Sequence, residues 1–231
     1  MKIFSKISTI ILFQFLILLQ TNAEPFPHET YIVSYAEAPI GLHPTDFSSH
    51  YYSEAECNEM ARKEAENFAA GQIYGYSFEL LVENPITKRV GDFKLILDIP
   101  ETYPIFSGRN VVYKEIESEL RDRKRFKLTY KLMEQQKSRR KNFAGTLAES
   151  SKGEDLSQNC QYWNLRNTAF ENAVKNAILN KARKNIKSRP EYISGKVMLK
   201  ESPQITINSG LWRVIVHVSI KFDEITYQTS Y

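Results

Sequence analysis

The chain of 231 residues is poor in the residues that carry most recognisable chemistry, with two cysteines, nine glycines and four histidines. Two cysteines cannot build a zinc site that needs four thiolate ligands. No glycine-rich segment matches the loops that hold phosphates in nucleotide-binding proteins, and no Gly-x-Ser-x-Gly element presents a nucleophilic serine. These absences argue against the common nucleotide-binding and hydrolytic enzymes. We therefore predict a non-enzymatic protein without a cofactor.

Long apolar runs are also scarce, and the one at the N-terminus has the order of a secretory signal. Lys2 and Lys6 precede the apolar run Ile7–Leu19, and Thr21 and Ala23 supply small residues before Glu24. The run is shorter than the roughly 20 residues that a membrane-spanning helix needs. We predict that residues 1–23 are a cleaved signal peptide, that the protein is periplasmic or secreted, and that it does not span a membrane after cleavage. An uncleaved membrane anchor is the alternative.

Export bears on the two cysteines, Cys57 and Cys160. An even number of cysteines in an exported chain favours a disulfide, and two buried free thiols are the alternative. A bridge that closes a loop of this length would stabilise the fold by about 4–5 kcal/mol in the chain-entropy model. We predict that the two cysteines pair.

Helical periodicity occurs twice in the chain. Ser53, followed by acidic residues, predicts the start of a helix that ends at about Gly71. A ridge of alanines and other apolar residues predicts a second helix over residues 162–188, ahead of Pro190.

Alternation of apolar and polar residues predicts the strands. Residues 74–82 and 93–99 form the expected hairpin, and Val111–Ser118 is either a strand or a short helix. The remaining predicted strands cover residues 31–35, 125–132, 192–201 and 211–222.

These elements predict an α+β fold in which two long helices each pack on antiparallel strands. We expect a first unit over residues 24–136, a polar linker over 137–158 and a second unit over 159–231. The order helix, strand, strand occurs in both units, and a shift of 108 residues places the alanine ridges on one another. A pseudo-duplication of the helix-strand-strand unit is therefore expected.

The second unit resembles the small exported α+β modules of the LPP20 lipoprotein and FlgT N-terminal type. The resembling residues are the ridge Ala169, Ala173 and Ala177 and the strand Trp212–Ile220, about a quarter of the chain. Such modules are structural and binding units of the bacterial cell envelope or flagellum, so the resemblance implies a role there. The chain departs from the lipoprotein members because no cysteine stands at the predicted cleavage site.

Positive charge is concentrated in the middle of the chain. Residues 109–141 contain twelve Lys or Arg and five Asp or Glu, while the net charge of the whole chain is +4. Such a segment can attract an anionic surface, and export favours lipid headgroups or a cell-wall polymer over nucleic acid. A solvated strand and linker is the alternative. The candidate anion-binding residues are Arg121, Arg123, Lys124, Arg125, Lys127, Lys131, Arg139, Arg140 and Lys141.

Two further kinds of site are considered. His43, Asp46 and His50 offer ligand types that zinc accepts, although their spacing matches no standard site. The same residues together with Cys57 would be the candidates in a secreted hydrolase with an unrecognised site. Our leading prediction is instead an exported structural or binding protein of the cell envelope, with a protein partner there. Binding of an anionic surface through residues 109–141 is the first alternative, and the hydrolase is the second.

Overall fold

The computed structural model describes residues 30–45, 48–84, 86–99, 110–118, 121–145, 148–184 and 190–227, and the predicted signal peptide lies outside these ranges. The described residues form three helices and eleven strands, so the predicted α+β fold is confirmed. The helices are α1 (Glu54–Ile73), α2 (Glu134–Gly145) and α3 (Leu165–Lys184). The strands are β1 (Tyr31–Pro39), β2 (Gly41–Pro44), β3 (Ser49–Tyr52), β4 (Tyr76–Leu81), β5 (Asp92–Leu97), β6 (Val111–Ile116), β7 (Arg123–Lys131), β8 (Glu149–Asn159), β9 (Pro190–Leu199), β10 (Gln204–Asn208) and β11 (Leu211–Tyr227).

The larger sheet has the antiparallel order β10-β11-β9-β4-β5, and β8 also pairs with β11. Alternate residues of β11 from Trp212 to Ile220 are buried, as their period of two predicts. Helix α3 packs on β8 and β11 through its apolar ridge, which includes Ala173, Val174 and Ile178. This helix and the sheet enclose the larger of two hydrophobic cores.

The smaller sheet has the antiparallel order β1-β7-β6, and α1 packs against β1 and β7. Ala61, Ala65 and Ala69 of α1 are fully buried, and their small side chains let the helix lie close to Leu128 and Tyr130 of the sheet. A separate hairpin pairs β2 with β3.

The start of α1 follows the sequence prediction, whereas its end does not. Ser53 caps the helix: its Oγ accepts the Glu56 N–H at 3.3 Å, and the Glu56 carboxylate accepts the Ser53 N–H at 2.8 Å. The prediction that Gly71 ends the helix is wrong, because α1 continues to Ile73. The phenol of Tyr76 occupies the space beside Gly71, where a Cβ would lie 2.4 Å from the Tyr76 hydroxyl. Close packing against Tyr76 thus explains why a glycine stands at this position.

The predicted polar linker over residues 137–158 is wrong, since its described residues belong mainly to α2 and β8. Strand β8 lacks apolar alternation because the backbone of α3 lies directly against it. Ser151 Oγ donates to Ala177 O at 2.7 Å, and Gly153 leaves no room for a side chain. Helix α2 is almost wholly polar and is anchored by Gln136, which donates to the Tyr74 hydroxyl at 2.9 Å.

The two predicted units do not correspond to two separate sheets. The hairpin β4-β5 comes from the first half of the chain but joins the sheet of the second half, where β4 pairs with β9. Helix α1 packs mainly on the other sheet, so the pseudo-duplication stays a prediction. Within the described ranges, no helix is both long enough and apolar enough to cross a bilayer.

The predicted disulfide does not form in this structure, where both thiols are free. Cys57 lies on α1 and is fully buried in the smaller core, with its Sγ 3.6 Å from Ala38 O. Cys160 is half-buried and packs against the other core. The two side chains therefore contribute to different cores.

We expect the two thiols to differ in reactivity. Burial raises the pKa of the Cys57 thiol and shields it from reagents, whereas Cys160 is partly accessible. A thiol-specific reagent should modify Cys160 first in the folded protein and Cys57 only after denaturation. Thiol titration and mass spectrometry measure this order. If the denatured protein gives no reactive thiol before reduction, the disulfide exists and this prediction is wrong.

Candidate anion-binding site

Among the residues predicted to bind metal or to act in a hydrolase, those that the structure describes do not form a metal-binding cluster. His43 and His50 face each other in the register of the β2-β3 hairpin, but each contacts other groups. His43 Nε2 lies 3.1 Å from Ile40 O, and His50 Nε2 lies 3.3 Å from the Glu56 carboxylate. Asp46 lies outside the described residues. In the part of the chain that the structure describes, no three His, Cys, Asp or Glu side chains are placed to hold a metal ion.

The basic residues of β7 differ from the predicted cationic surface. Arg123 is buried, and its guanidinium lies 5.4 Å from the centre of the Trp163 ring. Lys124 pairs with Glu54 of α1, and Arg125 lies 3.8 Å from a Glu37 carboxylate oxygen. These three cations therefore bind other parts of the fold, although Arg125 is still partly exposed.

The other predicted cations are more accessible. Arg121, Lys131, Arg139 and Lys141 are exposed, whereas Lys127 and Arg140 are half-buried. Arg139 lies over the Tyr74 ring at 5.5 Å, which holds that part of α2 to α1. Burial lowers the pKa of the Arg140 guanidinium below its usual range.

A buried arginine at the start of α3 joins the two cores. Arg166 is 4 % exposed, and its Nη1 donates to Glu37 O and to a Glu64 carboxylate oxygen, both at 2.8 Å. Its guanidinium lies 5.1 Å from the Trp163 ring and 5.7 Å from the Trp212 ring. Burial raises the pKa of Glu64, and attraction to Arg166 opposes that rise.

Side chains occupy the edge of β1 that does not pair with β7. Gln72 Nε2 donates to Val33 O at 3.1 Å, and the Tyr35 N–H donates to Ser202 Oγ at 3.0 Å. The Glu37 N–H donates to a Glu64 carboxylate oxygen at 3.0 Å. These bonds fix β1 beside α1 and beside the connection between β9 and β10.

We name the depression along this edge the β1 cleft. It has a volume of about 510 Å³ and lies between β1 and residues 200–206. Four cations line it: Arg125, Arg140, Arg166 and Lys200. Glu37 and Glu201 also line it, but Glu37 is already paired with Arg123 and Arg125, and Glu201 contacts Nδ1 of His217.

A second depression, the α2 cleft, lies between α2 and the end of β9 and has a volume of about 610 Å³. Its cationic lining consists of Lys137, Arg140, Lys141 and Lys200. Its apolar lining consists of Leu132, Phe143, Ala144, Met198 and Leu199. Arg140 and Lys200 line both clefts, so the two depressions share one basic rim.

A family model matches residues 20–227, and the family is uncharacterised. The chain belongs to that family. No curated protein and no solved structure matches the chain. Nothing in these comparisons links it to the LPP20 and FlgT modules, so that resemblance stays a prediction.

Sequence reasoning identified Arg125, Arg140 and Lys141 of the two clefts but missed Lys137, Arg166 and Lys200. A signal for Arg166 was present, because it stands four residues before Phe170 and so places a cation on the same helix face, one turn ahead of the apolar ridge. Lys200 gave no such signal. It lies near the basic segment only because β9 ends beside α2.

Proposed function

We propose that this protein is an exported, non-enzymatic protein of the cell envelope that binds anionic lipid surfaces through the α2 cleft. The observation that carries the proposal is the combined lining of this cleft, in which Lys137, Arg140, Lys141 and Lys200 border apolar side chains. Cations attract the headgroups of anionic lipids, and apolar groups favour the hydrocarbon below them.

The charge on α2 supports contact with an extended surface. Lys137, Arg139, Arg140 and Lys141 lie within two turns, and Arg139 and Lys141 are exposed. The acidic residue of the same helix is Glu134, which pairs with Lys137 at 2.6 Å. Each basic residue held near an anionic membrane contributes about 1 kcal/mol of binding.

The apolar part of the lining favours lipid over a polar cell-wall polymer. Phe143 is half-buried near the C-terminal end of α2, and Met198 and Leu199, which also line the cleft, are almost fully buried. A phosphodiester polymer is bound mainly through cations and hydrogen-bonding groups, so an apolar lining adds little to its binding. We propose separately that the protein has a protein partner in the cell envelope, as predicted from the sequence.

We expect the protein to sediment with vesicles of phosphatidylglycerol and to do so less as salt rises, because ions screen the attraction. The double variant K137Q/K141Q should weaken partitioning by about 2 kcal/mol, or roughly thirtyfold, since two cations are lost. Phe143→Ser should weaken it with little dependence on salt. Vesicle sedimentation at several salt concentrations measures all three.

The matched control is K94Q/K221Q, which removes two exposed lysines that line neither cleft. It should partition like the wild type. Equal retention on neutral phosphatidylcholine vesicles contradicts the proposal. So does binding to a soluble anionic polymer such as heparin without retention on anionic vesicles.

A further inference from the structure

The β1 cleft differs from the α2 cleft in being held rigid and in having a polar wall. One wall is β1, whose edge is fixed by bonds to Gln72 and Ser202. The other wall consists of the connection between β9 and β10, which supplies Ser202, and of β10 itself, which supplies Gln204 and Thr206. A volume of about 510 Å³ is within the range of small-molecule sites, about 300–1,000 Å³.

The cations that line this cleft outnumber the carboxylates that line it. Four basic side chains stand against two carboxylates, Glu37 and Glu201, which contact Arg123, Arg125 and His217. Of the four cations, Arg166 also pairs with Glu64, and Lys200 bonds to Ser150 Oγ. The cleft is therefore suited to an anion brought by a ligand, because arginine presents several N–H donors to one carboxylate or phosphate.

Arg166 gives a second and independent indication of a ligand. It lines the cleft, it is 4 % exposed, and its Nε has no hydrogen-bond partner although Nη1 has two. Buried polar groups are normally satisfied, so this unpaired nitrogen leaves the Arg166 side chain, which lines the cleft, with one donor to spare.

We propose that the β1 cleft binds a small polyhydroxylated organic acid, with its carboxylate or phosphate held by Arg125, Arg140, Arg166 and Lys200. The amide of Gln204 and the hydroxyls of Ser202 and Thr206 supply donors and acceptors for the neutral part of the molecule. The partly exposed ring of Tyr35, over which Arg125 lies at 5.4 Å, also lines the cleft. This site does not depend on the lipid-binding role of the α2 cleft.

The test is calorimetric titration of the purified protein with three matched probes: glucose, glucuronic acid and glucose 6-phosphate. One or both acids should bind, and glucose should bind at least about tenfold more weakly, as expected for loss of a charge-assisted hydrogen bond. The acid that binds more tightly shows whether the site prefers a carboxylate or a phosphate. Equal affinity for all three probes, or no heat of binding from either acid, overturns the proposal.

Variants separate this site from the α2 cleft. Arg125→Gln and Gln204→Leu should each weaken binding of the acid, and thermal unfolding shows whether either variant has lost its fold. Lys141→Gln and Phe143→Ser should leave the affinity unchanged, because Lys141 and Phe143 line the α2 cleft alone. If folded Gln204→Leu and Arg125→Gln bind like the wild type, the β1 cleft is not the site. Vesicle binding can persist in that case, so the two proposals fail separately.

Discussion

Gly153→Ala should lower the free energy of unfolding by about 3 kcal/mol, at the upper end of overpacking effects. A Cβ on Gly153 would lie 1.9 Å from Ala173 O and 2.7 Å from Ala177 N, and both atoms belong to the backbone of α3. No change of rotamer can relieve these contacts. The whole helix would have to move away from β8 and β11, and the larger core would lose packing. Urea unfolding followed by circular dichroism measures the loss.

A glycine without neighbours provides the control. A Cβ on Gly145 meets no atom within 4 Å, so Gly145→Ala should leave the stability within about 0.5 kcal/mol of the wild type. Adding Ala177→Gly to Gly153→Ala should not restore stability, because the contact with Ala173 O persists. A Gly153→Ala protein that unfolds at the wild-type urea concentration would show that α3 is not so close to β8.

Arg166→Met should destabilise the fold by about 3 kcal/mol, as expected when one member of a buried ion pair is removed. The change leaves the Glu64 carboxylate, whose side chain is 23 % exposed, with only the Glu37 N–H as a donor, and it also removes the donor to Glu37 O. A second change, Glu64→Gln, removes the charge but keeps an acceptor for the Glu37 N–H. The double variant should therefore be more stable than Arg166→Met alone.

The dependence on pH tests the same contact. Burial raises the pKa of Glu64 in the folded state, so its contribution to stability is greatest below the unfolded pKa of about 4.3 and is lost as pH rises through the folded value. In Arg166→Met the opposing attraction is gone, and the charged form becomes less favourable still. The stability difference between this variant and the wild type should thus shrink from neutral pH toward about pH 4.

An exposed arginine provides the comparison. Arg62 also pairs with two glutamates of α1, but its side chain is 45 % exposed. Surface ion pairs contribute about 0–1 kcal/mol, so Arg62→Met should change the stability by no more than that. If Arg62→Met and Arg166→Met have equal effects at all pH values, the Arg166–Glu64 pair does not behave as a buried pair.

The parts of the fold that could be predicted are those in which local pattern and burial agree. The alternation from Trp212 to Ile220 predicted the buried face of β11, and Ser53 predicted the start of α1. Strand β8 could not be predicted, because the positions that approach α3 include Ser151 and Gly153. In the folded protein these small residues mark close contact with the backbone of α3. In the sequence alone, a run of small and polar residues is typical of a linker.

The candidate site was less accessible to sequence reasoning because its residues come from distant segments. The basic segment indicated Arg125 and Arg140, but the pattern did not distinguish them from Arg123, which is buried against Trp163. Lys200 joins them only through the end of β9. Charge content could therefore indicate the kind of ligand, while the location of the clefts required the tertiary structure.

The pairing of β4 with β9 also governs when the chain can finish folding. β4 consists of residues 76–81, yet one of its two neighbouring strands is supplied by residues 190–199. Partners so far apart in sequence meet slowly, because a long loop must close first. Until then the side chains of Tyr76, Phe78 and Leu80 cannot pack into the larger core, because most of that core comes from the C-terminal half of the chain. The larger sheet therefore cannot be completed until nearly all of the polypeptide has been made, whereas the strands of the smaller sheet all lie within residues 31–131.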